Sequence, residues 1–158
     1  MQKIFHLIRS LYEGLVSLAG LARSPLLLFI RLYWGWQFAQ TGWGKLHNLD
    51  HVAEFFTSLN IPYPGPTAHF VALVEFLGGI FLILGLGSRL TALLLFVNMT
   101  VAYWTADHEA FTSFLSAPDK FTAADPFTYW FAALLILVLG SGLFSLDALI
   151  ARWFNPAK

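Results

Sequence analysis

Four stretches of the chain are apolar almost throughout, and three others repeat apolar residues at helical spacing with charges between them. The long runs are expected to be membrane spans at about 25–43, 67–86, 89–105 and 126–143, near the ~20 residues that cross a hydrocarbon core of ~30 Å. The third is the shortest and reaches across by borrowing a residue at each end or by sitting in locally thinned bilayer. Ser24-Pro25 and Asp125-Pro126 each pair a capping residue with a proline suited to the first helical position. Gly42-Trp43-Gly44 closes the first span, and the three prolines of 61–66 exclude helix before the second. Gly87-Ser88-Arg89 reads as a tight turn, and Gly140 and Gly142 end the fourth span.

The periodic stretches predict amphipathic helices lying in the membrane interface. Ile4, Ile8, Leu11, Leu15 and Leu18 share one face near the start, with Lys3, Arg9 and Glu13 between them. A cleaved signal peptide fits this start less well, because Glu13 interrupts the apolar region and Arg23 follows it. Val52, Phe55, Phe56 and Leu59 form a second stripe opened by Asn48 or Asp50, and Leu146, Leu149, Ile150 and Trp153 a third capped by Ser145. The expected fold is all-α: a single domain over 1–158, an integral membrane four-helix bundle with N-terminal, first-loop and C-terminal interfacial helices.

Composition agrees. Hydrophobic residues make up 58% of the 158 and charged residues 11%, less than half the share usual in soluble domains, and the mean hydropathy is +0.67. The nine basic and nine acidic residues cancel, so nothing points to nucleic acid. Their placement is more telling. Lys3, Arg9, Arg23, Arg31, Arg89, Arg152 and Lys158 fall on one side of the four-span arrangement, and Lys45 and Lys120 with six acids on the other. By the positive-inside rule both termini are expected to be cytoplasmic, in a multi-pass protein of a bacterial inner membrane.

Glu75 is the acid inside the second span. It lies eight residues from the outer end of that span, roughly 12 Å deep at 1.5 Å per residue, and the same counting brings Asn98 and Gln37 to a similar level. An ionisable group at such depth is a functional candidate. It is either a neutral hydrogen-bond donor in a dry surround or a carboxylate held by a cation. Arg31, from the cytoplasmic side, and Lys45, from the outer side, are the candidate cations, though either side chain can snorkel to the head groups instead. His69 lies on the route in from outside. A structural polar clasp between helices fits these residues as well as a working site does.

Other chemistry is sparse. The absence of cysteine excludes a disulfide, a thiol nucleophile or a thiolate-held metal supplied by this chain. A metal site can be drawn between His47 and His51 and the 107–109 segment, but no zinc-type spacing supports it and no metal is expected. No phosphate-binding loop or nucleophile elbow occurs, so no nucleotide is expected either. Trp43, Tyr103, Trp104, Tyr129 and Trp130 toward the outer ends, and Trp153 at the inner one, read as interfacial anchors. Tyr33, Trp34 and Trp36 lie deeper, where a flat ring can stack on them, although packing or lipid contact is the simpler explanation. Gly35, Ala39 and Gly42 in span one, with Gly78, Gly79, Gly85 and Gly87 in span two, are small-residue faces suited to close helix contact.

Together these residues resemble the DoxX family of small four-helix membrane proteins. RLYWGWQFAQTGWGKL, with Arg31, Gly35, Gly42 and Lys45, is similar to the family's first span. The block from Asn60 onward, with Glu75, Gly78, Gly79, Gly85 and Arg89, resembles its most specific segment, and Gly142, Ser145, Leu146 and Asp147 its closing element. The likeness runs over about 26–152; the long amphipathic start and the acidic 105–125 loop depart from it. The resemblance implies a protein like the small membrane subunit of a thiosulfate:quinone oxidoreductase, or one tied to membrane oxidoreductase assemblies, although many members have no assigned activity. The resulting expectation is a quinone-binding or accessory subunit of a membrane-associated oxidoreductase, working with a partner subunit and open to oligomerisation. In it Glu75 is the proton-handling residue and Arg31, Gln37, Lys45, His69 and Asn98 surround the ligand. A non-catalytic scaffold or assembly factor, and a small-molecule carrier, are the alternatives.

Overall fold

The computed structural model of the protein describes residues 2–154, and all regular structure among them is helical. In chain order the helices are α1 (Gln2–Leu46), α2 (Leu49–Ser58), α3 (Pro64–Leu84), α4 (Ser88–Ala106), α5 (His108–Thr112), α6 (Pro118–Ala123), α7 (Pro126–Leu139) and α8 (Leu146–Phe154). Two of them, over Ile4–Leu46 and Pro64–Leu84, are long and apolar enough to cross a membrane, and Pro126–Leu139 is a shorter apolar helix. Lys158, counted toward the orientation, lies outside the described residues.

The start of the chain differs from expectation. No cap or break occurs at Ser24-Pro25; one helix of 45 residues runs through Pro25, a length of about 68 Å at 1.5 Å per residue. Proline removes a single N–H from the ladder, and membrane helices tolerate that loss. Ser24 acts elsewhere: its Oγ accepts from the Leu143 N–H at 3.3 Å. Prolines also fail to delay α3, which begins at Pro64 rather than after Pro66. The first-turn amides of a helix have no internal partner, so two prolines there sacrifice nothing.

The second half of α1 packs on α3, α4 packs on α7, and α3–α4 and α1–α7 contacts join the two pairs. Phe38, Leu82, Leu95, Met99, Ala133 and Ile136 fill the interior. Outward faces are as apolar as the inside: Phe70, Leu77, Phe81, Leu90, Leu94, Val97 and Val101 are all exposed, whereas Arg31 and Glu75 are each only 1% exposed. A soluble protein places these classes the other way round.

Helices α1 and α3 meet backbone to backbone. A Cβ added to Gly35 would lie 2.9 Å from the Gly79 carbonyl oxygen, and one on Gly79 would lie 2.5 Å from that of Gly35. A Cβ on Gly42 would run into the Phe76 backbone and stand 2.8 Å from the Ala72 oxygen. In lipid, which gives no hydrophobic drive for helix association, such close packing is a main source of stability.

Several aromatics expected as interfacial anchors are packed instead. Tyr103 is fully buried, stacks on Phe121 at 5.0 Å and donates to the Phe121 carbonyl at 2.7 Å, pinning α6 over the end of α4. Trp130 donates to Thr100 Oγ1 at 3.0 Å, and Tyr129 sits edge-on to Phe38 at 4.9 Å. Trp43, Trp104 and Trp153 keep exposed rings. Nothing lies within 4 Å of a Cβ on Gly44, so it is the natural control for Gly42. Gly44→Ala is expected to leave thermal stability in detergent unchanged or raised by up to about 1 kcal/mol, while Gly42→Ala lowers it by about 1–3 kcal/mol, read from parallel melting curves.

Candidate functional site

Two polar assemblies lie at opposite ends of the α1–α3 seam. At the end holding the α3–α4 turn, α3 closes with Gly85 in the left-handed conformation (φ +67); the Gly85 N–H donates to Leu82 O and the Leu86 N–H to Phe81 O, a Schellman closure. Arg31 adds a second donor to Leu82 O and takes up further carbonyls there. Its Nε donates to Leu82 O at 2.8 Å, Nη2 to Ile83 O at 3.1 Å, and Nη1 to Ser141 O at 2.5 Å and Phe144 O at 2.9 Å. A side chain on Gly85 would collide with this guanidinium at 2.6 Å. A buried cation needs compensating partners, and here carbonyl oxygens supply them.

Asp147 completes this end. Gly87, the N-cap of α4, has no side chain to accept from the first amides of that helix. Asp147 does so from α8: the Gly87 N–H donates to Oδ1 at 2.7 Å and the Ser88 N–H to Oδ2 at 2.8 Å. Its own N–H donates to Gly85 O at 2.9 Å. As the sequence predicts, Ser145 caps α8, its Oγ accepting from the Ala148 N–H at 3.1 Å.

The other end is open. Lys45, in the last turn of α1, donates to Glu75 Oε1 at 2.5 Å, and Asn98 Nδ2 donates to the same oxygen at 3.1 Å. The remaining oxygen, Oε2, is buried with no partner among the described residues. These residues form the polar floor of a cavity of about 350 Å³, toward the lower end of the ~300–1,000 Å³ range of small-molecule pockets. Val71, Met99 and Ala102 contribute apolar wall, α2 roofs it with Phe55 and Phe56, and Tyr129 from α7 and Asp125 just before that helix complete the lining. The segment that returns from α2 to α3 holds Asn60 (φ +56) and Tyr63 (φ +50) in left-handed backbone, each unusual for a residue with a side chain.

The structure therefore brings Glu75, Lys45 and Asn98 together and leaves three other expected residues apart. Gln37 is half-buried, away from the cavity wall, and makes no hydrogen bond among the described residues. Counting from a span end at Trp43 put it level with Glu75; α1 continues to Leu46, and the Gly42 contact sets Lys45 there instead. Arg31 belongs to the opposite end. His69 is exposed, its Nδ1 3.0 Å from Gly65 O in the preceding turn. Among the histidines of the first loop, His47 turns back onto Trp43 O at 2.9 Å while His51 faces the cavity. The roofing role of Phe55 and Phe56 was half-legible in their stripe; the position of Tyr129 on the wall was not, since only the packing of α7 against α4 decides which face points inward.

The helices and their inverted polarity define a membrane protein. The family model for DoxX matches residues 26–108, just over half of the chain, and the chain belongs to the DoxX family. That match takes in Arg31, Lys45, Glu75 and Asn98 and stops before Asp125, Tyr129 and Asp147. No curated protein and no solved structure matches the chain.

Near the cavity mouth, burial, reinforced by Asp125, raises the pKa of Asp107 above the ordinary carboxylate value. An acid whose pKa is raised in the folded state favours folding while protonated and loses that contribution as pH climbs through the folded value. Asp107→Asn is therefore expected to melt higher than wild type at pH 7, with the two melting curves converging below about pH 4.

Proposed function

We propose that the chain is a multi-pass four-helix bundle that binds a quinone or a similar apolar ring beside Glu75, as a quinone-binding or accessory subunit of a membrane-associated oxidoreductase. The second half of α1 with α3, α4 and α7 forms the bundle in this reading, α2 and α8 lie at the membrane surfaces, and the start of α1 continues beyond the bundle. The excess of Lys and Arg near the termini supports a cytoplasmic location for both ends in a bacterial inner membrane. The cavity then faces the outer side.

One observation carries the reading: an apolar cavity ends on a charged, incompletely bonded group. A structural clasp has every reason to satisfy both oxygens of a buried carboxylate, since a bare one is costly, and at the other end of the seam both oxygens of Asp147 accept backbone N–H groups. The wall of Val71, Met99, Phe55 and Phe56 suits a flat ring, and Lys45, Asn98 and Glu75 would orient its oxygen substituents. Quinone reduction consumes protons and quinol oxidation releases them, and a carboxyl beside the ring is suited to handling them.

The test is saturable binding of a short-chain benzoquinone to the detergent-purified protein, compared with Ala102→Trp, which fills the cavity from α4. Binding to wild type that falls at least tenfold in a variant melting within a few degrees of it supports the reading. Equal binding by both proteins, or none by wild type, contradicts it, and a co-purifying partner unaffected by Ala102→Trp then points to a scaffold.

A further inference from the structure

The hydrogen-bonding capacity at the cavity floor is unequal, and this selects between the two redox forms of a quinone. Glu75 Oε1 accepts from both Lys45 Nζ and Asn98 Nδ2, while Oε2 is buried and accepts from nothing. A carboxylate held against an ammonium has no proton to donate, so Oε2 acts only as an acceptor. Thr41, the nearby hydroxyl on α1, is already committed, donating to Phe38 O at 3.0 Å. Lys45 retains two further N–H groups after its bond to Oε1, and its side chain is one-third exposed where it lines the cavity. Glu75, a residue of the cavity lining, thus carries one unfilled acceptor, covered by the surrounding protein, next to the spare donors of Lys45.

We infer that the cavity recognises the hydroxyl-bearing form of its ligand, a hydroquinone or a related phenol, in preference to the quinone. This rests on the quinone reading above and adds to it which form is held. Once the Glu75 carboxyl turns to present Oε2 to the cavity, a phenolic hydroxyl donates to it and at the same time accepts from Lys45 Nζ. A quinone carbonyl can accept from Lys45 but has no hydrogen to offer; it leaves Oε2 bare and brings a second electron-rich oxygen against the carboxylate. Hydrogen bonds to ionised groups are the stronger class, so the difference falls on the contact that most affects affinity. Glu75→Gln places an N–H donor where Oε2 stood once the amide oxygen has taken the Lys45 contact. The preference should then reverse.

The experiment is anaerobic equilibrium dialysis of the full-length protein in detergent against a short-chain benzoquinone and its hydroquinone, with a 4-alkylphenol and its methyl ether as a pair that cannot change redox state. Wild type is expected to hold the hydroquinone about tenfold or more tighter than the quinone, and the phenol tighter than the ether by a similar factor. In Glu75→Gln the first ratio falls to one or below. Equal affinities in wild type, or tighter binding of the quinone, overturn the inference while leaving a quinone site in place. Saturable binding of neither form removes the site itself. Should Glu75→Gln fail to fold, the two wild-type ratios decide the matter without it.

Discussion

The contact on which the rest of the structure depends is that of α1 and α3 at backbone distance along Gly35, Gly42 and Gly79. Side chains there would hold the two helices apart, and the polar residues at either end of the seam would then fall short of their partners. Lys45 is three residues past Gly42, on the same helix face, and Arg31 is four before Gly35. Because the helices run antiparallel, one cation meets Glu75 inside α3 and the other meets the carbonyls that end it. The glycines are thus the precondition of two charged contacts, one at each end of the seam.

Those contacts are of different kinds. At the turn between α3 and α4, the Arg31 guanidinium and the Asp147 carboxylate join α1, α3, α4 and α8, and both find partners for their charge among backbone groups. That end reads as a lock. At the other end Lys45 and Asn98 crowd one oxygen of Glu75 and leave its twin without a partner, beside an apolar space under α2. The apolar cavity beside that carboxylate argues that the second arrangement serves a ligand rather than assembly.

The sequence carried much of this. Continuous apolar runs marked where three of the four long helices lie to within a few residues, and an acid amid glycines marked Glu75, because burying charge in lipid is rare enough to be informative. The small-residue faces foretold the α1–α3 contact. What could not be read was register. A helix that passes through Pro25 and on to Leu46 shifts every depth counted from its ends, and so Gln37 was placed where Lys45 stands. Nor could sequence tell that Arg31 would find carbonyls rather than Glu75, since a guanidinium is as well served by either. Tyr103 and Trp130 looked like interfacial anchors because the same amphipathic ring suits a head group or a buried partner.

The central claim is that Lys45 and Glu75 act as one unit, and a double-mutant cycle on detergent stability tests it most directly. Lys45→Met strands a buried carboxylate, whereas Glu75→Gln leaves an ammonium that is one-third exposed and can reach water. The account predicts that Lys45→Met is the more damaging single change and that adding Glu75→Gln recovers part of the loss, with a coupling of about 1–3 kcal/mol. Simple addition of the two single effects in the double variant would show that the residues do not act together, and the site built on them would fall.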